Sequence, residues 1–315
     1  MRRSRLFLLG KSRCLFIKII YEGEEIQLEV SNCKIVDNMG GKSDSLTISF
    51  ADIKNECRQW EFNKNHVIEI IEDKFSTGKM YVDEFECERS KYTVKALSLK
   101  KKSRTVKNRI WEKVNFLDIA NDIAKEEGLQ LETYGINDFQ YERVEQIEKN
   151  NIEFLNYRSM LEGYNLKINS GKILIISEDF LKEQSKALTL DPSNFIGNYS
   201  FKCTSNMIYG GCEVVSFFYK YIKGSYIENN NEEILRVKNI SCGSLGEANR
   251  FAENILKNAN KYEFTGSFYI ENNFNIAAGN SIKIDNLGSF SGLYIIENVI
   301  YDFLSGKSKV FVRKV

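Results

Sequence analysis

Over much of the first hundred positions apolar and polar residues alternate with a period of two, the spacing of strands that bury one face. Ile26-Gln-Leu-Glu-Val and Ser45-Leu-Thr-Ile-Ser-Phe show the alternation most plainly, and Leu15-Phe-Ile-Lys-Ile-Ile-Tyr ends at a Glu-Gly turn. His66 to Glu72, Gly78 to Phe85 and Tyr92 to Leu99 complete a meander with polar turns. So many short strands at close spacing predict a barrel or a sandwich.

The period changes near Trp111. Asn115 can cap a helix, with Asp118 three residues on; Leu117, Ile119, Ala120, Ile123 and Ala124 form its apolar face, and Gly128 stops it. A second helix begins near Asn150 or Asn151, carries Ile152, Leu155 and Met160, and stops at Gly163. Each runs into a short alternating strand, Leu129-Gln-Leu and Tyr164-Asn-Leu-Lys-Ile, and Ser170-Gly171 turns the chain into Lys172-Ile-Leu-Ile-Ile. Strands resume after Asp191-Pro192. One further helix carries the clearest local signal, the capping box Ser244-Leu-Gly-Glu247, followed by Leu245, Ala248, Phe251, Ala252, Ile255, Leu256 and Ala259 on one face. A helix with one apolar stripe must cover something, and the expected surface is the end or side of a second barrel.

The ends of the two strand-rich regions match. Val67-Ile-Glu-Ile-Ile-Glu, Gly78-Lys-Met-Tyr-Val-Asp-Glu-Phe and Lys91-Tyr-Thr-Val-Lys-Ala recur in order as Ser281-Ile-Lys-Ile-Asp, Gly292-Leu-Tyr-Ile-Ile-Glu-Asn-Val and Lys309-Val-Phe-Val-Arg-Lys. The chain therefore reads as α+β, mainly β: two related β-barrel domains with an inserted small α/β module. The expected divisions are residues 1–105, 106–186 and 187–315, the last with one covering helix. Two similar units per subunit would let a trimer present six in a ring, since closed cyclic symmetry is the usual assembly rule.

Composition narrows the partners. Phe and Tyr are abundant and Pro192 is the only proline, as suits strands. With 44 basic and 43 acidic side chains the formal net charge is +1, so no global field gathers nucleic acid or anionic lipid. Seven cysteines, an odd number without a C-x-x-C pair, indicate neither a disulfide framework nor a zinc site and read as small hydrophobes. The start, Met1-Arg-Arg-Ser-Arg-Leu-Phe-Leu-Leu, is interrupted by Lys11, Ser12 and Arg13 before it can serve as a secretion signal. No apolar run approaches the ~18 residues of a membrane span.

Candidate chemistry is sparse. His66 is the only histidine, and no hydrolase or zinc signature surrounds it. The adjacent acids Glu24-Glu25, Glu126-Glu127 and Glu232-Glu233 point apart, unlike a glycosidase pair, and read as solvated charge. Lys100, Lys101, Lys102, Arg104, Lys107, Arg109 and Lys113 form a basic run with only Trp111 to stack on a base. A charged linker is the plainer reading of that run, and pairing with the acidic segment from Val114 to Gly163 is a further one. Gly210-Gly211 reads as a turn or bulge rather than a phosphate cradle. No catalytic, cofactor or metal residue is assigned, and the chain reads as no enzyme.

Several stretches together resemble the late control gene D family of phage tail proteins, the baseplate hub group. They are Ser45-Leu-Thr-Ile-Ser-Phe, Gly78-Lys-Met-Tyr-Val-Asp-Glu-Phe, Asn115-Phe-Leu-Asp-Ile-Ala with Ile123-Ala124 and Gly128-Leu129, and Glu145-Gln146 followed by Glu153-Phe-Leu. Ala278-Gly-Asn-Ser-Ile and Gly292-Leu-Tyr-Ile-Ile-Glu-Asn-Val continue the series, which in order spans the chain from about Ser45 onward. The resemblance implies two related tube-like β-barrel domains and a homotrimeric ring with pseudo-sixfold symmetry, joining a tail tube or tube-initiator protein to a central spike within a virion or tail-like particle assembled in the host cytoplasm. It implies contact with other baseplate proteins, no cofactor, no membrane and no specific nucleic acid. Tyr301-Asp stands where the family often carries a histidine, which touches no chemistry in a scaffold. The end at Val315 leads us to expect no fused lytic domain or spike. Phage and tail-like bacteriocin remain open alternatives, as do a tail-tip cell-wall hydrolase and a DNA-binding tail protein.

Overall fold

The computed structural model describes residues 17–53, 57, 61–72, 75–206, 208–217, 220–229 and 232–315. The amino-terminal stretch with its paired arginines, Cys14 and the first residues of the Leu15 strand lie outside them.

Strands from both ends of the chain share one fourteen-stranded sheet. Its main order is Ser200–Cys203, Phe264–Glu271, Lys307–Lys314, Gly292–Asp302, Val30–Asn38, Ser45–Ala51, Lys91–Leu97, Met80–Glu88, Val67–Glu72, Lys18–Tyr21 and Glu24–Ile26. Leu188–Leu190 and Ser281–Ile284 pair with each other beside Gly292–Asp302, and Phe75–Ser76 pairs with Val67–Glu72. Alternation builds this sheet: Leu46, Ile48 and Phe50 are fully buried while Ser45 and Thr47 are not. The mainly β architecture read from the sequence holds. No closed barrel is detected among the described residues, because the long strand Gly292–Asp302 serves both halves. Its first part pairs with Ser281–Ile284 and its last part, Asn298 to Asp302, with Asn38 to Lys34. Both halves accordingly feed one core, in which Ile35, Ile48 and Val94 join Tyr294, Val299 and Val310.

Between the halves stands the α/β module. Strands Val106–Asn115 and Gln140–Asn150 form an antiparallel ribbon. Gln130–Tyr134, Lys172–Ser177 and Tyr164–Asn169 form a three-stranded sheet. Helix α1 (Phe116–Glu127) has the predicted Asn115–Asp118 capping box and ends at Gly128, whose φ of 71° only a residue without a Cβ adopts easily. Helix α2 (Asn151–Leu161) is capped by Asn150, whose side chain accepts from the Glu153 amide at 2.9 Å. The basic run is no linker: it comprises a short 3-10 turn, Lys101–Arg104, and most of the ribbon's first strand. A short helix that the alternating pattern hid, α3 (Glu178–Glu183), follows directly on the Lys172–Ser177 strand.

Helix α4 (Leu245–Asn260) departs from expectation in two ways. Ser244 accepts from the Glu247 amide, but the Glu247 carboxylate reaches back one residue further, to the Gly243 amide at 2.8 Å. More consequentially, α4 does not cover the carboxy-terminal strands. It packs on a separate three-stranded sheet of Gly211–Ser216, Ile222–Ile227 and Ile234–Lys238, and on α2. Ala248, Phe251, Ala252 and Leu256 thereby enter the module's core with Ile119, Leu155, Leu166 and Val214. Glycine makes this docking possible, since a Cβ on Gly224 would lie 2.4 Å from the Ala248 carbonyl carbon. Gly224→Ala should therefore force helix and sheet apart and lower stability by about 1–3 kcal/mol. Urea unfolding checks this, and an unchanged midpoint would contradict the packing.

Candidate assembly surfaces

The three parts of the molecule meet at one buried ion pair. Asp37, from strand Val30–Asn38, and Lys167, from the module strand Tyr164–Asn169, are side chains less than a tenth exposed. Lys167 also donates to the Ala278 carbonyl at 2.9 Å, and the Ala278 amide donates to Asp37 Oδ2 at 2.7 Å. Asp37 belongs to the first strand set, Lys167 to the module and Ala278 to the approach to Ser281–Ile284. The loop after Asp37 follows the same surface, with the Gly41 amide donating to the Leu166 carbonyl at 2.8 Å.

Two further clusters fasten the module. Arg313, on the last strand, is 1% exposed and donates to both Glu178 oxygens of α3 at 2.7 and 2.8 Å, and also to Glu297. Arg313 holds the Glu178 carboxyl below the ordinary range against the opposing effect of burial, which is the larger single influence. Arg250 of α4 grips Glu162, at the end of α2, at 2.6 and 3.1 Å, while the Tyr141 hydroxyl donates to Glu162 at 2.6 Å. Glu162, Glu178, Arg250 and Arg313 line a groove of about 640 Å³, and these four charges are engaged with one another across element boundaries. Perturbed ionisation of this kind is structural as readily as catalytic.

The residues singled out from sequence fall apart in space. His66 precedes strand Val67–Glu72, its Nδ1 2.8 Å from the Tyr21 hydroxyl. Glu24 and Glu25 are exposed on an edge strand, where Glu25 meets Lys18 at 2.9 Å. Glu126 and Glu127 both accept from Asn151, tying the end of α1 to the start of α2. Glu232 and Glu233 are exposed. Within the basic run Arg104 pairs with Asp83, and both Lys107 and Arg109 pair with Glu126, so the pairing with the acidic segment is realised at α1. Gly210 accepts from the Glu228 and Asn229 amides at a crowded strand start, where a Cβ would lie 2.0 Å from the Asn229 carbonyl oxygen. Burial pushes the Cys33 and Cys242 thiols up to about 12 and Cys212 up to about 11, which leaves them protonated fillers at neutral pH. Among the described residues no group of three His, Cys, Asp or Glu side chains could hold a metal, and no helix is long and apolar enough to cross a membrane.

What the structure does bring together is the repeat. Six strands of the first half occur in the order Val30–Asn38, Ser45–Ala51, Lys91–Leu97, Met80–Glu88, Val67–Glu72, Lys18–Tyr21. In the second half the corresponding order is Ser200–Cys203, Phe264–Glu271, Lys307–Lys314, Gly292–Asp302, Ser281–Ile284, Leu188–Leu190. Registers agree as well. Val67 faces Tyr81 as Ser281 faces Ile295, and Ala96 faces Val82 as Val312 faces Ile296. Each ladder then skips one residue at the same place, Asp83 in one and Glu297 in the other. This register aligns Lys91 with Lys307, two residues earlier than the sequence match with Lys309. The sixth strands differ, Lys18–Tyr21 running antiparallel to its neighbour and Leu188–Leu190 parallel.

No family model matches the chain, and no curated protein matches it. Solved structures do. A 43 kDa tail protein of prophage MuSo2 from Shewanella oneidensis superposes with a TM-score of 0.73 at 11% identity, covering 94% of this chain and 97% of that one. A tail protein from Neisseria meningitidis MC58 gives 0.75 at 9% identity, covering 95% and 96%. A component of the Escherichia coli type VI secretion system, itself described as structurally similar to the T4 tail proteins gp27 and gp5, gives 0.66 at 11% identity, covering 95% and 77%. The fold is thus one shared by phage tail proteins and a type VI secretion component. Within that class it agrees with the resemblance of the ordered sequence segments to baseplate hub proteins.

Next to the central ion pair, burial and the charge of Asp37 push the Asp44 carboxyl up to about 7, against the opposing pull of Lys167. An unfolded aspartate ionises near 3.8, so between these values the folded state holds the extra proton and stability falls as pH rises. Asp44→Asn cannot ionise, and its stability relative to the wild type should therefore improve by up to about 1.4 kcal/mol per pH unit through that window. Denaturant midpoints of both proteins from about pH 4.5 to about pH 7.5 test this. A constant difference would show that Asp44 ionises normally.

Proposed function

We propose that the chain is the structural hub of a phage or phage-tail-like baseplate. In this reading three copies form a pseudo-sixfold ring that joins the tail tube to the central spike and contacts other baseplate proteins. The observation that carries it is the duplication: two six-strand units of matching order, alike in register and bulge over their first five strands, in a single chain. A ring of three such chains offers six near-equivalent units, which is how a threefold body meets a sixfold one. The fold likeness to tail proteins over more than nine-tenths of the chain supports the same reading.

The role proposed is structural, in a virion or tail-like particle, with no catalytic step. The carboxylates of Asp37, Glu162 and Glu178 are engaged in ion pairs within the chain, and part of the basic run is engaged with carboxylates of the same chain. The division into residues 1–105, 106–186 and 187–315 is retained as a proposal about duplicated units and insert. Strands Gly211–Ser216, Ile222–Ile227 and Ile234–Lys238, together with α4, belong by packing to the insert's core.

Light scattering of the purified protein should give the mass of three chains, alone or once the spike protein is added. A monomer at every concentration that binds neither tube nor spike protein would overturn the reading. Zymograms on Gram-positive and Gram-negative walls should stay blank, and clearing abolished by neutralising one carboxylate would establish the hydrolase instead.

A further inference from the structure

Inside the chain the two units are already joined edge to edge. Residues 298–302 run antiparallel to residues 34–38, with Val299 opposite Asp37, Ile300 opposite Val36 and Tyr301 opposite Ile35. The matched registers give each segment a counterpart in the other unit. Residues 84–88 hold in the first unit the place of 298–302, because both follow the shared bulge. Residues 200–204 hold in the second unit the place of 34–38, because Phe201 faces Gly266 as Ile35 faces Leu46.

These counterparts are uncovered. Among the described residues, 84–88 pair only with Lys91–Leu97, and Ser200–Cys203 only with Phe264–Glu271. They cannot meet within one chain, since six strands of the same sheet separate them. Val299 is 0% and Tyr301 2% exposed, whereas Phe85, at the place of Val299, is 38% exposed and Cys87, at the place of Tyr301, is also exposed. Positions buried at the internal seam are thus open to solvent at this edge. Unpaired backbone groups beside them template another strand.

We infer that residues 84–88 of one copy pair antiparallel with residues 200–204 of the next copy, in the register of the internal seam. Phe85 then lies opposite Cys203, Glu86 opposite Lys202, Cys87 opposite Phe201 and Glu88 opposite Ser200. The inference rests on the ring reading and adds the strand register of its inter-copy seam. Charge agrees with this register. Glu84 and Glu88 already pair with Lys95 and Lys91 at 2.8 and 3.1 Å, while neither Glu86 nor Lys202 has an ion-pair partner among the described residues. Phe85 and Cys87 would share one face with Phe201 and Cys203, closing over the exposed core positions. The seam is heterologous, one edge meeting a different edge, so it propagates until a ring closes.

Charge reversal and cross-linking test the register on the full-length chain. Glu86→Lys and Lys202→Glu should each weaken assembly about tenfold in sedimentation, because every seam then holds like charges, and the double swap should restore it. In a Cys87→Ser background, Phe85→Cys should oxidise with the native Cys203 to covalent oligomers, and adding Cys203→Ser should abolish them. Wild type that assembles while the reversals and the cross-link have no effect overturns the register and leaves the ring reading standing. Wild type that never assembles, with or without the spike protein, removes both.

Discussion

Asp37 and Lys167 form the contact on which the arrangement of the whole molecule depends. Burying two charges costs more than their mutual attraction returns unless the remaining donors and acceptors are also satisfied. Here they are satisfied by the backbone of Ala278, which both accepts from Lys167 and donates to Asp37. A hydrophobic pair could fill the same space without fixing which segments meet. The charged pair with the Ala278 backbone specifies the junction, because a misplaced module would leave an uncompensated ion inside. Arg313 with Glu178 and Glu297 repeats this logic at the last strand.

The second constraint is the shared strand Gly292–Asp302. A strand long enough to serve two partners converts two similar units into one sheet, and so fixes their relative rotation through hydrogen bonds. Side-chain contacts between two separate barrels would tolerate sliding, whereas a ladder permits register shifts only in whole residues, each of which inverts the faces. A rigid, repeatable seam suits a scaffold that must present equivalent surfaces around an axis.

Local signals were legible wherever a backbone need is met by a neighbouring side chain. Asn115 with Asp118, Asn150 and Ser244 all cap helices at the positions their residue types predict, and Gly128 ends α1. The repeat was legible through its glycine-led strands, although the alignment of its third strand slipped by two residues. Between Glu88 and Lys91 the turn has two residues, and between Asp302 and Lys307 it has four. Matching by lysine position could not register that difference. The edge positions now proposed as a seam carried no signal of their own, since Phe85 and Cys87 resemble any half-buried strand residues.

Sequence by itself determined the strand-rich character, the helix ends, the duplication and the scarcity of catalytic constellations. These depend on residues close together in the chain, or on patterns comparable position by position. Tertiary structure alone decided that α4 covers the module, that the basic run is a short turn and a strand, and that both halves share one sheet. Each outcome depends on which distant surface fits. Gly224 admits the α4 backbone, Glu126 attracts Lys107 and Arg109, and the last residues of a long strand find an open edge at Val30–Asn38. An apolar stripe states that a helix must be covered, and only the shape of the available partner determines what covers it.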